Sequence, residues 1–82
     1  MLRKLVQSGQ VEVDGRPYVV HYFAHRTARG ARRFSAEVVL DADDRIILDD
    51  DSLSSVQARV ARLAPATIYS RALAARPPSV AA

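Results

Sequence analysis

The sequence contains no cysteine, which excludes disulfides and thiolate metal sites. Its three glycines, Gly9, Gly15 and Gly30, are too far apart to form a glycine-rich phosphate loop. No segment approaches the roughly 20 consecutive apolar residues of a membrane span, and the first residues lack the apolar stretch of a signal peptide. We therefore expect a soluble, cytoplasmic protein that does not associate with membranes.

Acidic residues are missing from two long segments of the chain. Residues 15–36 contain five arginines and no acid, residues 37–51 contain seven acids and one arginine, and residues 52–82 contain four arginines and no acid. This segregation creates local fields that the net charge of +3 conceals. A pI near 10 is also typical of proteins that bind phosphate groups. Because eleven arginines against one lysine also fits a GC-rich genome, the positions of the arginines are more informative than their number.

The length of 82 residues allows one domain, and the hydrophobic fraction of 49% is typical of a folded globular protein. We expect residues 1–76 to form this domain. The Arg76-Pro77-Pro78 segment should end the last helix, and residues 77–82 should form a flexible tail.

Four short segments have the composition of β-strands. A first strand at 11–13 precedes Asp14-Gly15, a dipeptide that favours tight hairpin turns. Segments 18–25 and 32–40 are rich in β-branched and aromatic residues, and 45–48 is a short fourth strand. Asp41 to Asp44 should form the turn before it. The order predicts an antiparallel meander of three or four strands.

Alternation of side chains predicts a register for the central hairpin. A four-residue loop, 28–31, would place His25 opposite Phe34 and create an apolar core face. That face would contain Val19, Phe23, Phe34, Ala36, Val38 and Leu40, and the opposite, open face would contain Tyr18, Val20, Tyr22, Arg33, Ser35 and Glu37. The first hairpin allows two alternatives, because a two-residue turn directs Val11 and Val13 to the Tyr18/Tyr22 face and a three-residue turn directs them to the core.

The C-terminal third has helical periodicity. Asp49 to Ser52 provide acids and a hydroxyl that can cap a helix, and Leu53, Val56, Val60 and Leu63 form one apolar stripe. Pro65 should kink the helix or start a second one, with Ile68, Ala72 and Leu73 turned inward. The predicted fold is α+β, an antiparallel three- to four-stranded β-meander followed by a kinked C-terminal helix or helix pair on one sheet face.

Residue types suited to metal binding or catalysis are present but poorly arranged. His21 and His25 would lie about 13 Å apart on a strand, too far to share an ion. The acidic run lacks the alternating ligands and glycine of a calcium loop and is better explained by turns and a helix cap. The serines at 52, 54 and 55 have no histidine near them in the sequence. We expect a non-catalytic protein without metal or cofactor.

Two binding surfaces remain as candidates. The first is the open face with Tyr18 and Tyr22, since aromatic residues are enriched in protein interfaces. This favours a regulatory or adaptor module that binds a protein partner or a second copy of itself. The alternative is a nucleic-acid-binding hairpin in which arginines contact phosphates and Tyr22 stacks on bases. Its predicted arginines are Arg16, Arg26, Arg29, Arg32 and Arg33.

Overall fold

The computed structural model describes residues 3–75 and confirms the α+β class. Four antiparallel strands in the order β1-β2-β3-β4 form one sheet, and a single helix packs on one of its faces. The elements are β1 (Lys4–Val13), β2 (Arg16–Arg26), β3 (Arg32–Val39), β4 (Arg45–Asp50) and α1 (Leu53–Ala75). The predicted tail at 77–82 lies outside the described residues. No helix in the described range is long and apolar enough to cross a membrane.

The first hairpin has the two-residue turn. Asp14 and Gly15 both have positive φ angles, 53° and 77°, as a type I′ turn requires. Val13 therefore lies opposite Arg16 and Val11 opposite Tyr18. This turn matches the twist of the flanking strands, and it allows β1 to extend to Lys4, far beyond the predicted three residues. One bulge, between Leu5 and Gln7, interrupts the pairing.

The predicted register of the central hairpin is wrong by one residue. His25 lies opposite Arg33 rather than Phe34, because the connection spans five residues, 27–31. The Thr27 amide donates to the Ala31 carbonyl at 2.8 Å, and the Gly30 amide donates to the Thr27 carbonyl at 2.9 Å. Gly30 has a φ of 81°, so the loop needs a glycine there to re-enter β3.

This shift exchanges the two faces of β2. Tyr18, Val20 and Tyr22 point toward the helix, and Val19 and Phe23 lie on the uncovered face, contrary to the sequence prediction. Tyr22 is only 7% exposed. The predicted apolar set of β3 is retained, so the core combines the even-numbered residues of both strands with β4 and the helix. Its fully packed members are Val20, Tyr22, Ala36, Val38, Ile46, Val56, Val60 and Ala64.

The helix begins with a serine cap and continues through its proline. The Ser55 amide donates to Ser52 Oγ at 3.1 Å, which satisfies one of the free amides of the first turn. α1 is one helix with Pro65 inside it, so no second helix starts at residue 66. Ala61, whose carbonyl loses the i+4 donor, is exposed and its carbonyl can be hydrated. Ile68 packs against the core as predicted, but Ala72 and Leu73 are exposed.

The corrected register predicts that Tyr22 is a core residue. Tyr22→Ala should lower the free energy of unfolding by about 3–5 kcal/mol, and Val19→Ala, on the opposite face of β2, by less than about 1 kcal/mol. Urea denaturation measures both values. Equal effects of the two substitutions would contradict the observed faces.

Burial also raises the pKa of the Tyr22 phenol above its ordinary value. The neutral phenol therefore stabilises the fold fully below about pH 10, and this stability is lost as the pH rises through the folded-state pKa. Tyr22→Phe should reduce the alkaline loss of stability while changing stability little at neutral pH.

Candidate functional site: the open face of the sheet

The sheet face opposite the helix carries the odd-numbered side chains of β2, β3 and β4. From here on we call this face the open face, because no described element packs on it. It is the face opposite to Tyr18 and Tyr22, which the sequence predicted to be open. Cross-strand pairing arranges its side chains in rows. The central row runs Ser8, His21, Glu37, Ile47, and the adjoining row runs Leu5, Phe23, Ser35, Asp49.

Large apolar side chains on this face are exposed. Ile47 is 64% exposed, Leu5 52% and Val19 42%, and the Phe23 ring is partly buried. Isolated exposed apolar residues are ordinary, but these four surround one polar centre on a single face. The apolar groups are therefore available to a second surface.

The polar centre of the open face is a buried carboxylate held by two arginines. Glu37 is 5% exposed, and its carboxylate lies 3.2 Å from the Arg3 guanidinium and 3.6 Å from that of Arg45. The Arg3 guanidinium also lies over the Phe23 ring, 4.0 Å from its centroid. Arg3 and Arg45 are about half exposed, so they cover the carboxylate and keep charge at the surface. The burial of Glu37 is thus compensated by two opposite charges.

A shallow depression of about 470 Å³ lies beside this cluster. Its lining residues are Arg3, His25, Ser35, Ile47 and Asp49. Asp49 also accepts a hydrogen bond of 3.0 Å from Arg33, and this bond raises the pKa of Arg33 above its ordinary value. The depression offers both signs of charge, one apolar side chain and an imidazole in a small area.

His21 is the central histidine of the face and forms one hydrogen bond. Its Nδ1 lies 3.1 Å from the Ser8 hydroxyl, and its ring lies 6.5 Å from that of Phe23. Among residues 3–75, no group of three or more histidine, cysteine or acidic side chains has the geometry to hold a metal ion.

The predicted arginine cluster is only partly assembled. Arg26 and Arg32 lie directly opposite each other at the base of the hairpin loop, and Arg29 is exposed at its tip. Arg33 points to the open face, where Asp49 neutralises it. Arg16 stacks over Tyr18 at the far end of β2, about 33 Å from Arg26, so it does not belong to the cluster.

The segregated charges of the sequence meet in the fold. Besides Arg33 and Asp49, the helix residue Arg59 approaches Asp50 at 3.9 Å, and Arg71 forms an ion pair with Asp44. Asp50 has its pKa lowered chiefly by a hydrogen bond from the Asp51 amide, with a smaller contribution from Arg59. Acids of the middle block thus bind arginines of both basic blocks.

No family model matches the chain, and the comparisons with curated proteins and with solved structures found no match.

The sequence prediction placed Glu37 on the open face but missed the residues around it. Arg3 precedes β1 and Arg45 and Ile47 lie on β4, and they meet Glu37 of β3 only through the register of the sheet. One signal was present in the sequence. His21 and His25 both fall on the odd-numbered face of β2, which favours that face as the hydrated one.

Glu37 should contribute modestly to stability, since its partners are half exposed. Glu37→Gln is expected to lower the free energy of unfolding by about 1 kcal/mol at low salt. The difference should shrink at high ionic strength, because added salt screens the remaining charges. Urea denaturation at two salt concentrations tests this, with Asp43→Asn in the exposed turn as the control. A larger effect of the control would contradict the assigned role of Glu37.

Proposed function

We propose that this protein is a small non-catalytic binding module, of a regulatory or adaptor type, that binds a protein partner through the open face. The observation that carries the proposal is the exposure of Ile47, Leu5 and Val19 around the buried Glu37 cluster. The Tyr18/Tyr22 surface expected from the sequence has no part in it, since both side chains face the helix.

The composition of the open face supports a protein partner. Protein interfaces combine apolar contacts at their centre with arginine and aromatic groups and a polar rim. Ile47 and Phe23 provide the apolar contacts, and Arg3 is fixed in place by Glu37 and the Phe23 ring. A prearranged arginine loses little side-chain entropy when it is buried by a partner.

Ile47→Glu is the direct test of this surface. Ile47 is exposed, but a glutamate there lies directly opposite Glu37, so the substitution should lower stability by about 1 kcal/mol while it places a charge in the interface. Tyr69→Glu is a matched control, because Tyr69 is 62% exposed on the helix, away from the sheet.

The original protein and both variants are used to isolate binding proteins. One purified binding protein is then titrated into each of the three by calorimetry. We expect Ile47→Glu to weaken binding at least about tenfold, as for a central interface residue, with Tyr69→Glu unchanged. Equal binding by all three proteins would refute the open face as the site.

A second function is supported by the hairpin tip. Arg26, Arg29 and Arg32 form no ion pair with any residue in the range 3–75. Arg32 lies over the Phe34 ring of β3 and Arg26 donates to the Gly30 carbonyl of the loop, so both guanidinium groups are held in place. Three arginines on a protruding hairpin suit the phosphates of a nucleic acid.

Binding of nucleic acid through three phosphate contacts should have a log–log salt slope of about −2 to −3. Arg26→Gln with Arg29→Gln should remove most of that slope, and Arg62→Gln, an exposed helix arginine, should leave it unchanged. Arg33 is unsuitable for this test because Asp49 binds it. Fluorescence anisotropy with duplex and single-stranded oligonucleotides measures the slope. Absence of binding at low salt would exclude this function.

A further inference from the structure

The free edge of β1 is the longest unpaired edge in the sheet. β1 has ten residues and pairs only with β2, whereas the other edge strand, β4, has six. Lys4 to Ser8, Gln10 and Glu12 are all exposed. Natural edge strands are usually protected by short length, prolines or charges. Between the bulge at Leu5/Gln7 and Val13, the only charged residue of β1 is Glu12.

The turn geometry identifies which backbone groups of β1 face outward. In a two-residue hairpin the residues that flank the turn, here Val13 and Arg16, exchange both backbone hydrogen bonds. Because the pattern alternates, Glu12 lies in a non-bonded pair with Pro17, which has no amide hydrogen to donate. The amides and carbonyls of Ser8, Gln10 and Glu12 therefore point away from β2.

The two ends of β1 carry charges of opposite sign. Arg3 and Lys4 lie at its start, Glu12 and Asp14 lie at its end, and residues 5–11 are uncharged. Lys4, Glu12 and Asp14 form no ion pair within the described part of the chain. An antiparallel copy of the same strand would place each positive end beside a negative end, whereas a parallel copy would place like charges together.

We propose that β1 pairs with β1 of a second copy of this chain in antiparallel orientation, which joins the two sheets into one of eight strands. The pairing satisfies the outward backbone groups of Ser8, Gln10 and Glu12 in both copies. Such pairing buries little side-chain surface, so the dissociation constant should lie at about 10–100 µM.

The edge pairing also determines where the open faces lie. Residues directly opposite each other in an antiparallel pair share a face, so the two-fold axis is perpendicular to the sheet and both open faces lie on the same side. The dimer therefore presents a continuous surface twice the width of the monomer surface. The inference is separate from the proposed function, because Ile47 is on β4 and far from the dimer edge.

Gln10→Pro tests the pairing directly. It removes an outward amide hydrogen and leaves the hydrogen bonds to β2 in place, which an edge strand tolerates. Gln10→Ala is the matched control, since it removes the same side chain and keeps the amide. Sedimentation equilibrium of the full chain should show a dimer for the original protein and for Gln10→Ala. Gln10→Pro should raise the dissociation constant more than about tenfold, while circular dichroism confirms its fold.

The charged ends separate antiparallel self-pairing from other modes of association. Glu12→Lys should weaken the dimer by about three- to tenfold at low salt, because it replaces the attraction between Glu12 and the Arg3/Lys4 end of the second copy by repulsion, and the effect should shrink at high salt. Ile47→Glu should leave the dimer unchanged, so loss of partner binding and loss of dimerisation can be distinguished. A monomer at millimolar concentration, or a dimer that Gln10→Pro leaves intact, would overturn the proposal.

Discussion

The five-residue connection between β2 and β3 determines which half of β2 is buried. Gly30 adopts a left-handed conformation, and Thr27 closes the loop with its backbone and with its hydroxyl, which accepts a hydrogen bond from the Ala31 amide. One residue fewer in this loop would exchange the faces of β2 relative to β3, since side chains alternate along a strand. The core under the helix and the composition of the open face both follow from this loop.

Local features could be predicted from the sequence, and the register could not. The Asp14-Gly15 turn, the serine cap at Ser52 and most of the apolar stripe of the helix depend on neighbouring residues, and each is found where the sequence places it, except that Ala64 rather than Leu63 joins the core. β2 has apolar residues on both faces, so alternation gave no clear choice between Val19/Phe23 and Val20/Tyr22. The β2–β3 loop is one residue longer than predicted, and its length determines which face of β2 is buried. The open-face residues of β1 and β4 are set by strand pairings that sequence spacing does not encode.

Charge segregation in the sequence is largely a consequence of this topology. An acid-rich turn and β4 lie beside basic segments of β3 and the helix, so Asp49, Asp50 and Asp44 each meet an arginine. These pairs neutralise part of the acidic block, whereas among the five arginines of residues 15–36 Arg33 alone has an acidic partner within residues 3–75. Positive charge without a nearby acid is concentrated at the hairpin tip, and the ends of β1 retain charges of opposite sign.

A four-stranded sheet covered by one helix leaves two kinds of unsatisfied surface, and they require different partners. The open face offers side chains, so its partner must match Ile47, Phe23 and the arginines in shape and charge. The edge of β1 offers backbone groups, which any strand can match, so selectivity there must come from the ends of the strand. The opposite charges at those ends favour an antiparallel copy of β1 itself. Because such pairing aligns the open faces, dimerisation at the edge would let a partner with two binding segments occupy both surfaces at once, which raises its effective affinity.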